Sequence, residues 1–95
     1  MTSVNIETKS KITKTDDCVE TVVDEELVLM NIVSGVFYSL KDTGRRAWEL
    51  LEGEQTFGAL VDAMCSEYDV AEQTCRTELA KLIGDLEERS LVQVG

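Results

Sequence analysis

The chain has 95 residues, of which 43% are hydrophobic, and it contains 6 Gly and no Pro. This length and composition predict one small folded domain and exclude a disordered chain. The formal net charge of −10, from 19 acidic and 9 basic residues, disfavours phosphate backbones and anionic membrane surfaces, so we expect neither nucleic acid nor membrane as a partner. Two readings of the acidity stay open, namely solubility alone and attraction of a cationic peptide.

The residues needed for common catalytic and metal sites are missing. The chain has no His, and its three cysteines, Cys18, Cys65 and Cys75, lack CxxC spacing, which argues against a disulfide framework and a zinc site. There is no Gly-rich phosphate loop and no GxSxG motif, so we expect a non-catalytic protein without a metal or cofactor. The N-terminus lacks an apolar signal core and no stretch is long enough to span a bilayer, which predicts a cytoplasmic protein.

Residues 1–15 are polar, and we expect them to form a flexible arm with one weak strand ahead of a domain at residues 16–95. Alternating hydrophobicity then predicts a strand at residues 19–23. After an acidic turn, an apolar run predicts a second strand at residues 27–32. Ser34 and Gly35 form the next turn, and residues 36–40 make a third strand.

Helical periodicity begins at Thr43, which we expect to cap a first helix that stops at Gly53. Arg45 and Arg46 lie in its first turn, where the helix dipole disfavours cations. They either lie in water or contact a partner protein. A second helix is predicted from Thr56 to Tyr68, and a third from about residue 70 with Asp69 as its cap. Residues 91–94 form a final strand or a packed tail.

Three strands followed by three helices predict an α+β fold of winged-helix type, with a three-stranded antiparallel sheet. In DNA-binding winged helices the third helix enters the major groove. Here that helix carries three basic residues against five acidic ones, which argues against DNA binding.

The third strand has one neighbour if the strands pair in chain order, so its other edge is free to accept an extended peptide. Alternation places Val36, Tyr38 and Leu40 on one face and Phe37 and Ser39 on the other. Phe37 is either an exposed peptide anchor or ordinary sheet packing. From the third helix we expect four residues to face this edge, although the last two also fit the core: Cys75, Arg76, Leu79 and Ile83. Glu72 and Glu78 suit a basic peptide.

Residues 18–94 resemble the PqqD family, named for a pyrroloquinoline quinone biosynthesis protein. The resemblance lies in ELVLMNIVSGVFYSLKDTGRRAWELLEG, QTFGALVDAMCSEYDV and LAKLIGDLEERSLV. Its recurring elements are the following residues: Leu29, Gly35, Tyr38, Leu40, Gly44, Trp48, Gly53, Thr56, Leu86 and Val92. Lys41 departs from the pattern, which commonly has Asn there.

The resemblance implies a RiPP recognition element, a domain that binds the leader of a ribosomally made precursor peptide. In that family the leader adds as a strand to the third strand and packs against the third helix. The stand-alone form is most similar to recognition proteins of lasso-peptide clusters, which work with a leader peptidase and a cyclase or other modifying enzyme. Two alternatives stay open: a peptide chaperone for a radical-SAM enzyme, and a module that dimerises through the same edge.

Overall fold

The structure is a computed structural model that describes residues 6–95. It contains six short strands and three helices within that range. The strands are β1 (Lys11–Lys14), β2 (Cys18–Val23), β3 (Glu26–Asn31), β4 (Phe37–Leu40), β5 (Glu54–Thr56) and β6 (Val92–Val94). The helices are α1 (Asp42–Leu50), α2 (Phe57–Glu67) and α3 (Glu72–Glu88).

The strands form two antiparallel sheets of three. The meander sheet has the order β2-β3-β4, and the terminal sheet has the order β5-β1-β6. The predicted α+β class and the three-stranded meander are confirmed. In the meander sheet Leu29 lies opposite both Glu20 and Tyr38. On β3 the residues facing the helices are buried and the alternate ones are half-buried, so only one face of this strand is fully covered.

The terminal sheet was not predicted as a sheet, and its central strand lies in the segment expected to be a flexible arm with one weak strand. Ile12 in β1 is 0% exposed. Main-chain bonds in both directions join Lys11 to Gly95, at 2.9 and 2.8 Å. Residues 11–14 are therefore part of the folded body, whereas residues 1–5 lie outside the described residues.

Two of the three predicted helix starts are wrong. Thr43 lies inside α1, which begins at Asp42 after an extended Lys41 whose carbonyl accepts from the Gly44 amide at 3.2 Å. Asp69 does not cap α3, because Ala71 is extended and the helix starts only at Glu72, beyond reach of the Asp69 carboxylate. Thr56 does cap α2, since its hydroxyl accepts from the Ala59 amide at 3.2 Å.

The core lies between the two sheets and the three helices, and two polar contacts tie these layers together. Trp48 of α1 is 1% exposed, and its Nε1 donates to Glu20 of β2 at 3.0 Å. The Lys14 ammonium of β1 lies 4.5 Å from the centre of the Trp48 ring. This indole therefore connects a helix to one strand of each sheet.

Asn31, at the end of β3, is 3% exposed and makes the second tie. Its Oδ1 accepts from the amides of Val33 and Ser34 at 2.9 and 3.0 Å, and its Nδ2 donates to the Ser90 carbonyl at 3.0 Å. The turn between β3 and β4 is thereby fastened to the chain just after α3. Replacing a buried amide that makes three hydrogen bonds leaves its partners unsatisfied, so these contacts hold one end of the meander sheet beside the end of α3.

Arg45 and Arg46 both pair within the chain. The Arg46 guanidinium binds both carboxylate oxygens of Glu67 at 2.7 and 2.8 Å, which joins α1 to α2. Arg45 donates to the Glu49 carboxylate at 3.1 Å and to the Glu25 carbonyl at 3.0 Å. The carboxylates offset the unfavourable placement of two cations in the first turn.

The hydrogen bonds from Arg46 lower the pKa of Glu67, and those from Arg45 and then Arg46 lower the pKa of Glu49, from 4.5. A lowered folded-state pKa stabilises the fold above about pH 4.5, and that contribution is lost as the pH falls through the lowered value. We expect the thermal midpoint of the wild type to fall more between pH 6 and pH 3 than that of Arg46→Gln. Lys81→Gln, which changes the charge equally at an exposed site, should follow the wild type. Parallel curves for the wild type and Arg46→Gln would contradict this role.

Candidate functional site

The outer edge of β4 is unpaired within the described residues, because β4 pairs only with β3. The Asn31 amide donates to the Val36 carbonyl at 2.9 Å. Since antiparallel pairs alternate between bonded and non-bonded, the main-chain groups of Tyr38 and Leu40 point toward β3. Those of Phe37 and Ser39 point away from it. This edge therefore presents two amides and two carbonyls to an incoming strand.

The side chains of β4 divide as the alternation predicted. Leu40 is 4% exposed and Tyr38 is half-buried, both on the face covered by helices. Phe37 is 64% exposed on the opposite face, where it lies across from Met30, which in turn lies across from Val19. The exposure of Phe37 favours the reading of a peptide anchor, because most of its ring surface is open to solvent beside the unpaired edge.

At the start of β4, Tyr38 closes the space between the strand and α3. Its hydroxyl donates to Asp85 Oδ2 at 3.4 Å, and the Arg89 guanidinium lies 4.8 Å from the centre of its ring. Burial, together with the nearby Asp85 carboxylate, raises the pKa of Tyr38. The phenol therefore stays protonated and donates its hydrogen bond across the groove.

At the other end of β4 the groove widens into a cavity of about 280 Å³. Residues from the first turn of α1, from α2 and from α3 line it: Thr43, Gly44, Met64, Tyr68, Val70, Cys75, Glu78, Leu79 and Leu82. A Cβ on Gly44 would lie 3.4 Å from the Leu40 side chain, which places this cavity directly beside the end of β4. The arrangement is an unpaired edge followed by an apolar hole, with α3 along one side.

Cys75 lies in the wall of this cavity with its thiol protonated. Burial and then its contact with the Cys65 thiol raise the pKa of Cys75 to about 11. A thiol with so high a pKa is a poor nucleophile at neutral pH. Cys75 therefore serves as a small apolar surface.

The structure brings some of the predicted site residues together and separates others. Cys75 and Leu79 line the cavity, but Ile83 is fully buried in the core. Arg76 pairs with Glu72 at 3.1 Å and lies over the Phe57 ring, on a side of α3 that faces Thr8 and Lys9. A helix turns about 100° per residue, so the side chain after Cys75 points well away from the cavity. Arg76, Glu72 and Ile83 are thus placed off the groove.

Of the residues of α3 that follow the groove, the sequence analysis selected only Glu78, as a residue that suits a basic peptide. Glu78, Leu82, Asp85 and Arg89 recur at i, i+4, i+7 and i+11, which puts them on one face of the helix. Three of the four are charged, so this row resembled a solvated surface. The sequence signal that could have marked this row as part of the groove is Leu82, the single apolar residue among the charged ones. Met64 and Tyr68 of α2 were assigned to a core stripe, and they line the cavity as well.

Other kinds of site find no support in residues 6–95. No group of three or more His, Cys, Asp or Glu side chains is arranged to hold a metal ion there. Among the helices of that range, none has the length and apolar character needed to cross a membrane. The β4 edge with its cavity is accordingly the candidate site.

Comparison with known proteins identifies a family and two solved complexes with leader peptides. The model of the family described as coenzyme PQQ synthesis protein D (PqqD) matches residues 26–92. A solved structure of TbiB1 in complex with the TbiA(beta) leader peptide is 31% identical, with a TM-score of 0.77, over 85% of this chain and 94% of that one. A lasso peptide synthetase B1 complexed with the leader peptide has the same fold at 23% identity, with a TM-score of 0.73, over 86% and 96%. No match was found among curated protein sequences.

The match to the family model covers β3, β4, β5, all three helices and the start of β6, and it therefore includes the strand and the helices that border the groove. It therefore rests on the part of the chain that forms the candidate site. This chain belongs to the PqqD family and has the fold of a RiPP recognition element.

Proposed function

We propose that this protein binds the leader region of a ribosomally synthesised precursor peptide of the lasso class by adding it as a strand to β4. The observation that carries the proposal is the unpaired main chain of Phe37 and Ser39 beside the groove along α3. The solved complexes of a 31% identical protein and of a second protein of the same fold, each with a leader peptide, support it.

The geometry suits an extended peptide. Main-chain hydrogen bonds to Phe37 and Ser39 hold the peptide without regard to its sequence. Alternate side chains of an added strand then point to opposite faces. One set meets the cavity beside Leu40, and the other lies next to the exposed Phe37 ring. Affinity thus comes from the backbone and selectivity from the two sets of side-chain contacts.

In this proposal the protein is a carrier and not a catalyst. It holds the leader while a separate peptidase and a cyclase, or another modifying enzyme, act on the rest of the precursor. The leader must be captured where precursors are translated, so we place the protein in the cytoplasm. The net charge of −10 speeds encounter with basic partners.

The match to the PqqD model supports a second candidate, a peptide chaperone that serves a radical-SAM enzyme. It uses the same edge of β4 with a different precursor. Both candidates bind their peptide by strand addition to β4. Identifying the precursor that binds distinguishes one candidate from the other.

A titration tests the proposal. A fluorescently labelled leader peptide, from the precursor encoded beside this gene, is titrated with the protein while anisotropy is recorded. We expect saturable one-to-one binding that an unlabelled leader displaces and the core peptide does not. Light scattering on the same samples reports the oligomeric state. A stable dimer that ignores the leader would overturn the proposal and favour self-association through β4.

A further inference from the structure

Among the described residues that line the cavity beside β4, only Glu78 carries a charge. The role inferred for Glu78 rests on the proposed function. We propose that Glu78 selects leaders with a Lys or Arg on the side that faces the cavity. The cationic head group would meet the carboxylate at the rim, and the methylene stem would pack on the apolar lining.

The carboxylate of Glu78 differs from several others on the three helices. Its side chain makes no ion pair and no hydrogen bond with any residue in the range 6–95. By contrast, Glu49 and Glu67 are held by arginines and Glu72 by Arg76. Asp85 accepts a hydrogen bond from the Tyr38 hydroxyl, and the Arg89 guanidinium lies over the Tyr38 ring. Charges of both signs therefore lie close together at the start of β4. The uncompensated charge of the groove therefore lies at the cavity.

The rest of the lining suits a long amphipathic side chain. Met64, Leu79 and Leu82 supply apolar surface around Glu78, and nothing cationic lines the cavity within the described residues. Lys and Arg bury their stems along such surfaces and keep the charged head at the edge. An acidic leader residue would instead meet a carboxylate with no counter-ion. A single site thus favours cations and rejects anions.

The test uses a phage-displayed library of random 12-residue peptides, selected separately on the wild type and on Glu78→Lys. We expect wild-type selections to enrich Lys or Arg at one fixed position, and Glu78→Lys selections to enrich Asp or Glu there. For one enriched peptide, Glu78→Gln should weaken binding about two- to fivefold, as expected for a partly exposed ion pair. Glu88→Lys makes the same charge change on α3 outside the cavity and should keep the wild-type preference.

The failures are distinguishable. Suppose that the selected peptides bind the wild type but not Ser39→Pro. If they show no preference for Lys or Arg, or show the same preference when selected on Glu78→Lys, the role of Glu78 is overturned and strand addition is left intact. Selections that yield no peptide sensitive to Ser39→Pro would overturn both. Circular dichroism of each variant checks that the exposed substitution leaves the fold unchanged.

Discussion

Replacing Ser39 with proline should weaken leader binding about 10- to 100-fold while the protein stays folded. The Ser39 amide points to the open side of β4, so proline removes a donor that the leader needs and places its ring in the path of the incoming strand. Loss of one hydrogen bond with a steric clash corresponds to about 1.4–2.8 kcal/mol. The meander sheet keeps its own bonds, because an edge position with its N–H toward solvent tolerates proline. Anisotropy titration of the labelled leader measures the loss.

Two variants control for this prediction. Ser39→Ala keeps the amide and should bind within about twofold of the wild type. Val22→Pro puts proline in β2, at the other edge of the same sheet. The Ile32 amide donates to the Asp17 carbonyl, so this pair is hydrogen-bonded, and bonded and non-bonded pairs alternate from there along β2. The alternation makes Val22 a non-bonded position, with its amide pointing away from β3. Val22→Pro should leave affinity unchanged. Equal losses in Ser39→Pro and Val22→Pro, or none in either, would refute strand addition to β4.

Ile12→Ala should lower the free energy of unfolding by about 2–4 kcal/mol, which is a large part of the 5–15 kcal/mol typical of a domain. Ile12 is fully buried in β1, between β5 and β6, and truncation leaves a cavity in the core. Urea unfolding followed by circular dichroism measures the change, with the slope checked for two-state behaviour.

Thr13→Ala is the matched control, because the neighbouring side chain points to the other face of β1 and is only half-buried. It should cost less than about 1 kcal/mol. If Ile12→Ala were equally mild, residues 11–14 would behave in solution as the flexible arm that the polar sequence suggested.

The meander sheet was predictable because its signals are local. Alternation in residues 19–23, the apolar run through Leu29 and the turn at Gly35 each specify a strand or a turn within a few residues. The terminal sheet was expected only as separate pieces, a weak strand within residues 1–15 and a final strand or packed tail at residues 91–94. Its strands have three or four residues, and they pair Lys11 with Thr56, across nearly half of the chain, and Ile12 with Val94, across most of it. No periodicity shows in so short a strand, and nothing local encodes so distant a partner.

The candidate site agrees with the sequence prediction along the strand and differs from it along the helix. The open edge of β4 followed from strand order, and the exposure of Phe37 from alternation. On α3, periodicity grouped Cys75, Leu79 and Ile83 on one face, but it did not specify which flank of that face meets β4. Arg76 was taken from one flank, and the groove lies along the other, at Glu78 and Leu82. Which flank faces the strand depends on how the helix packs, which is a tertiary property.

The bonds of Asn31 have a consequence for the thermodynamics of capture. They fix the distance between the β3–β4 turn and the end of α3, and the Tyr38–Asp85 contact reinforces the same end. The groove is thus held in place at the end where β4 begins. A peptide that binds in the groove loses conformational freedom, whereas the protein around it is already ordered. The entropic cost of association therefore comes mainly from the peptide. Mutations that loosen Asn31 should then weaken binding without touching any atom of the peptide.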